Sequence, residues 1–335
     1  MAVNVSKRGE VHARAGARAL SLLATAPNPV LLEVLADGPS SLADLQGRGG
    51  APGSTLRARL KDLVDAEVIA ACRNGGFRRG SAEYELTEAG EGLLTVAEVL
   101  ESWLSESPNA NRPFAGNCAK AAIGALAGGW SATLLRALAA KPLSVADLDS
   151  VIASFNYPSL ERRIAAMRHA GQVEACPANG RETPYAVTTW LRRGVAPLLA
   201  GIRWERLHLA GSSAPVAGLD VEAAFLLAMP LLRLDPELSG RCRLAVELPS
   251  NGEGRVAGVV AGLEEGAVAS CTSRLDGTAD AWASGPVNAW FRALIDHDGE
   301  SLELGGDGRL ARTLIAGLHK ALFTPTMQRR DEAFA

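Results

Sequence analysis

Ser54, Thr55, Arg57 and Lys61 set two hydroxyls and two cations within two turns of one helix, and Arg73, Arg78 and Arg79 cluster soon afterwards around Gly75 and Gly76. Leu56, Leu60 and Leu63 recur at i, i+4 and i+7, which defines the buried stripe of that helix. At about 100° per residue, Ser54, Arg57, Ala58 and Lys61 then point outward, with Arg59 on the flank. Such a face suits a polyanion. Arg and Lys donate to phosphates or guanine edges, Ser and Thr to phosphates or either base, and Ala58 leaves room for a thymine methyl. The glycine-centred arginines form a basic tip able to follow a backbone or enter a minor groove. The plainer alternative is that these are ordinary solvated charges; their concentration on one helix and one loop favours duplex DNA as the partner.

Catalytic groupings are absent by spacing. His12, His169, His208, His297 and His319 are scattered without ligand spacing, and His297 between Asp296 and Asp298 reads as a solvated turn before Gly299. No Gly-x-Ser-x-Gly, P-loop or strand-linked Gly-x-Gly-x-x-Gly occurs. The five cysteines, Cys72, Cys118, Cys176, Cys242 and Cys271, form neither a disulfide framework nor a zinc cluster, so buried free thiols are expected, with redox sensing at Cys118 as the alternative. No cofactor, no metal and no enzymatic activity are expected.

The cationic helix belongs to a repeated unit. Residues 31–45 (LLEVLADGPSSLADL) return at 134–148 (LLRALAAKPLSVADL), 56–60 matches 160–164, and 84–87 matches 185–188. A period of about a hundred residues exceeds the roughly 20–50 of a solenoid and reads as a duplicated domain. The first copy is expected to hold helices over 12–24, 29–35, 42–46 and from Gly53 to near Ala66, with Ser41 capping the third. Alternation then predicts strands over 68–72 and 83–86 around the basic tip, and Thr87 caps a closing helix towards Leu104. The second copy predicts helices over 130–139, 144–152 and 159–170, with strands over 173–175 and 185–188.

These residues resemble the HxlR group of bacterial winged-helix transcriptional regulators. The resemblance is carried by the leucine-rich reading helix, by Ala66-Glu67-Val68 before the first strand, and by Tyr84-Glu-Leu-Thr-Glu-Ala-Gly90 after the wing; the second copy has Ala170-Gly-Gln-Val173 and Tyr185-Ala-Val-Thr188. It covers residues 12–209. It implies DNA binding, and because that group has one such domain per chain and dimerises, a fused pair would replace one partner internally. In the second copy Tyr157, Glu161, Arg162 and Ala165 face outward, and its wing holds Arg181 beside Glu182. That copy either touches a neighbouring half-site through Tyr157, Arg162, Arg168 and Arg181 or is chiefly a scaffold. Two-fold-like symmetry would suit half-sites about 34 Å apart and an imperfect palindrome.

Charge separates the rest of the chain. Of a net charge of −3, residues 1–210 carry 23 basic against 20 acidic groups and residues 211–335 carry 11 against 17. Residues 211–218 read as a turn-rich linker. Beyond it, a helix over 221–232, strands over 242–248, 255–262, 268–273 and 277–283, and helices over 286–295 and 310–322 are expected. Residues 280–294 (DAWASGPVNAWFRAL) and 302–310 (LELGGDGRL) resemble a sterol carrier protein type 2 domain. That resemblance implies an apolar cavity for a hydrophobic small molecule, with Phe225, Met229, Trp282, Trp290, Phe291 and Leu294 as lining candidates. Core packing, or dimerisation through the apolar helices, is the alternative.

The expectation is thus a mixed chain: two α+β winged helix-turn-helix domains (1–108 and 109–210), a linker (211–218) and an α+β sterol-carrier-like domain (219–335). With no apolar run of the ~18–20 residues a membrane span needs, it is read as a cytoplasmic regulator. Its expected partners are an operator duplex and a hydrophobic effector, with homodimerisation open. The rival readings are a drug-sequestering protein derived from a regulator and a tandem winged-helix DNA glycosylase.

Overall fold

The computed structural model describes residues 15–72, 82–108, 117–129, 133–152, 155–177, 182–209, 216, 218–248 and 256–333. It has a mixed helix and strand architecture. Among the described residues no single helix is long and apolar enough to cross a membrane.

The first repeat begins with α1 (Ala17–Leu23) and α2 (Asn28–Ala36), then a two-residue strand β1 (Ser40–Ser41), α3 (Leu42–Gly49) and α4 (Gly53–Asp65). Strands β2 (Ile69–Cys72) and β3 (Glu83–Leu86) follow, and α5 (Glu88–Ser105) closes the unit. β3 lies between β1 and β2, antiparallel to both. In the second repeat α6 (Asn117–Gly129), α7 (Thr133–Ala140), α8 (Val145–Val151), α9 (Tyr157–His169), β4 (Val173–Ala175), β5 (Tyr185–Val187), α10 (Thr189–Arg193) and α11 (Val195–His208) run in the same order. α6 and the pairing of β1 with β3 lie outside the sequence-based expectation.

Local chemistry explains why the two units match. Ser41 caps α3 and Ser144 caps α8, each accepting from the amide three residues on, while Asp44 and Asp147 return a bond to the cap amide. These bonds to Ser41, led by the hydroxyl, hold Asp44 below the usual carboxylate range, and those to Ser144, led by the amide, do the same for Asp147. Ser40 pairs with Tyr84 as Leu143 pairs with Tyr185. Thr87 caps α5 and its hydroxyl reaches the carbonyls of Glu67 and Val68; Thr188 caps α10 and reaches those of Gly171 and Gln172. The left-handed residue entering the hairpin is Gly171 in one copy and Glu67, at φ 58°, in the other. Gly90 is required by proximity: a Cβ there would stand 2.3 Å from the Val68 carbonyl oxygen.

The two units are joined by an exchange of tryptophans. The Trp103 indole N–H donates to the carbonyl of Trp190 at 2.8 Å, and that of Trp204 donates to the carbonyl of Ala89 at 2.7 Å. Trp103 and Trp204 are 101 positions apart, and so are Ala89 and Trp190. The contact is therefore made twice, with the roles of the units reversed, as at an isologous interface. Trp190 adds a bond from its own indole to the Trp103 carbonyl at 2.9 Å, and the two rings stack in parallel at 4.7 Å. Nearby, the buried Glu205 carboxylate on α11 accepts from the amides of Gly16, Arg18 and Ala19 and so closes the start of α1.

The remaining residues build α12 (Gly218–Ala228), a 3-10 turn (Met229–Leu231), β6 (Gly240–Glu247), β7 (Val256–Glu264), β8 (Ala267–Thr272), β9 (Ala281–Pro286), α13 (Val287–Ile295), β10 (Glu303–Gly306) and α14 (Gly308–Ala333). The sheet order is β10-β9-β6-β7-β8, antiparallel except for β6 beside β9. Cys242, Leu244, Val246, Val259, Ala261, Ala281 and Ala283 are buried on one face, in the same core as the inner residues of α12, α13 and α14. Arg192 ties this part to the second repeat: it donates to the carbonyls of Leu226 and Leu227, near the end of α12, and of Ala139, near the end of α7. A cation at two helix C-termini is favoured by their dipoles, although burial lowers the guanidinium pKa. Arg136 on α7 also pairs with the buried Glu222 on α12.

Candidate nucleic-acid interface

In the first repeat α4 buries Leu56, Leu60 and Leu63, each at most 1% exposed, and full burial of such a side chain contributes about 1.5–3 kcal/mol. That anchoring leaves Ser54, Arg57, Ala58 and Lys61 on the exposed side, with Thr55 half-buried. Arg59 turns back to Asp62 at 2.9 Å. Arg57 and Lys61, one turn apart, have no ion-pair partner among the described residues. Arg73, Arg78 and Arg79 lie outside the described residues. The stem that carries them pairs β2 with β3, and at its loop end the Cys72 thiol donates to Glu85 at 2.8 Å, which holds the thiol in its neutral form.

The second repeat presents a different surface on the same frame. α9 buries Leu160 and Ile164 and exposes Glu161, Arg162, Ala165 and Arg168, while Tyr157, in the first turn, is 45% exposed. By the repeat, Glu161 replaces Arg57 and Ala165 replaces Lys61. Arg162 bonds to the Pro158 carbonyl at the start of its own helix, and Arg168 lies over the Tyr185 ring at 5.5 Å. Glu182 accepts from the Ser144 hydroxyl at 2.6 Å. Tyr157, Glu161, Arg168, Glu182 and Tyr185 surround a groove of about 370 Å³. Arg181 lies outside the described residues.

Phe225, Met229, Trp290, Phe291 and Leu294 are brought together, but as packed core. Phe225 meets Trp290 edge to face at 4.8 Å, the Trp290 indole donates to the Ala245 carbonyl, and all five are at most 8% exposed. Beside Trp290, Phe291 and Leu294 about 10 Å³ is left, room for one water at most. The chamber expected there is closed. Trp282 is a correction of a different kind: it alternates with the buried Ala281 and Ala283, stands 37% exposed on the opposite sheet face, and so cannot line a space with the other five. Its ring covers Gly305 on β10, where a Cβ would come within 2.2 Å of it.

No family model and no curated protein matches the chain.

Several residues form contacts that local sequence spacing does not specify. The tryptophan exchange was signalled by Trp103 and Trp204, whose spacing equals that of Tyr84 and Tyr185 and of Thr87 and Thr188. His297 and His319, scattered in sequence, stack at 5.0 Å. Among the described residues no three potential ligands gather as a metal site. Of the cysteines, Cys242 is buried and Cys72, Cys176 and Cys271 are half-buried free thiols, while the side chain of Cys118 lies outside the described residues.

Proposed function

We propose that the chain is a DNA-binding transcriptional regulator built from two fused HxlR-like winged-helix units and a sterol-carrier-like C-terminal unit, acting in the cytoplasm. The observation that carries this reading is α4: a helix anchored by three leucines, with Arg57 and Lys61 unpaired on its open face, preceded by a capped helix and followed by a hairpin. This is how a reading helix is presented to a major groove. The tryptophan exchange supports the fused-pair reading, since it gives each unit the partner that a single-domain regulator finds in a second chain.

The two units are unequal readers. The first offers cations to phosphates and base edges; the second offers Glu161 at the corresponding point and contacts DNA weakly at best. The operator is then one strong half-site beside a degenerate one. A hydrophobic effector in the C-terminal unit would have to part α12 from α13, and Arg192 and the Arg136 pair with Glu222 would transmit that movement to the second repeat. Sequencing of duplexes retained from a randomised library tests the reading. One dominant half-site is expected, and failure to enrich any sequence contradicts it.

A further inference from the structure

The charge reversal on α9 does more than weaken a DNA contact. It lines the open groove of about 370 Å³ with two carboxylates, those of Glu161 and Glu182, neither of which has an ion-pair partner among the described residues. Among the described residues one guanidinium, that of Arg168, also lines it. It lies over the Tyr185 ring at 5.5 Å, so a cation already occupies one aromatic face of the groove. The second ring, Tyr157, is 45% exposed.

We propose that this groove is a binding site for a planar organic cation, a protonated aromatic amine or a quaternary ammonium compound. The volume lies within the roughly 300–1,000 Å³ of small-molecule sites. Among the described residues that line the groove, the two carboxylates outnumber the one guanidinium. The exposed Tyr157 ring offers a flat, electron-rich face of the kind that holds ammonium groups. Part of the site is built in advance: Glu182 is fixed by the hydroxyl of the buried Ser144, whose backbone amide is held in turn by Asp147. An anionic ligand would meet two carboxylates there, which excludes phosphate or sulfonate as the occupant. The proposal is independent of DNA binding by α4.

Calorimetric titration of the full chain, freed of nucleic acid, tests it with ethidium as the planar cation and 2-naphthalenesulfonate as the anion. Ethidium should bind one per chain, the sulfonate should not bind, and Glu161→Gln with Glu182→Gln should weaken ethidium by about tenfold or more. Glu161→Gln alone, on an exposed helix face, should weaken it in the same direction with the fold intact, and Arg57→Ala should leave it unchanged. Absence of ethidium binding, equal affinity in the double variant, or equal binding of the sulfonate would overturn the proposal.

Discussion

Arg57 and Glu161 occupy the same position of the same helix in the two repeats, both on its exposed face, and they carry opposite charge. Each follows a buried leucine, Leu56 or Leu160, that fixes the helix rotation, so the difference lies in the side chain rather than the frame. Duplication preserved the architecture and divided the chemistry. One unit presents Arg57 and Lys61 on this face, and the other presents Glu161 and Ala165.

Glu161→Arg should therefore return a phosphate contact to the second unit. Duplex affinity should rise, and the plot of log affinity against log salt should steepen by up to about 0.9 for one added contact. Titrations at several salt concentrations measure this, and an unchanged slope would show that α9 does not face the duplex.

The tryptophan exchange should make the two repeats unfold as one cooperative body. Trp204→Phe removes the indole bond to the Ala89 carbonyl, which keeps its helical partner in α5, and should cost about 0.5–1.5 kcal/mol in urea unfolding. Trp103→Phe should cost more, because it also disturbs the stack on Trp190. Two separate unfolding transitions in the unaltered chain would instead mean that the repeats fold independently.

Much of this structure was legible in the sequence because its determinants are local. Leucines at helical spacing, Ser41 and Thr87 at helix starts, and alternation in 83–86 each act within a few residues, and the elements they predicted are present. What escaped depends on partners distant in the chain. β1 is defined by Tyr84 and Glu83 across the sheet, and Glu205 caps a helix 186 positions earlier at Ala19. The sterol-carrier resemblance groups Trp282 with Trp290, but β9 has a period of two, and its alternation puts the Trp282 ring on the other face. The exposed side of α4 was readable from leucine spacing alone, whereas the groove at Glu161 and Glu182 required the hairpin to fold back on α8.

Burial pushes the thiols of Cys242 and Cys271 up to about 12. Unfolded thiols ionise near 8.5, so alkaline solution favours the unfolded chain; the stabilising difference is fully present below that value and is lost as pH rises towards 12. The buried Cys242 thiol should resist iodoacetamide at pH 8 and react promptly in denaturant, as followed by mass spectrometry. Rapid alkylation of Cys242 in the native protein would contradict its placement.

The central claim, that α4 grips a duplex, is tested most directly by the salt dependence of binding for the unaltered chain and for Arg57→Ala with Lys61→Ala. Where both cations meet phosphates, the double variant should bind more weakly and its salt slope should be shallower by up to about 1.8, or about 0.9 per contact. Equal affinity and an equal slope for the two proteins would contradict the account.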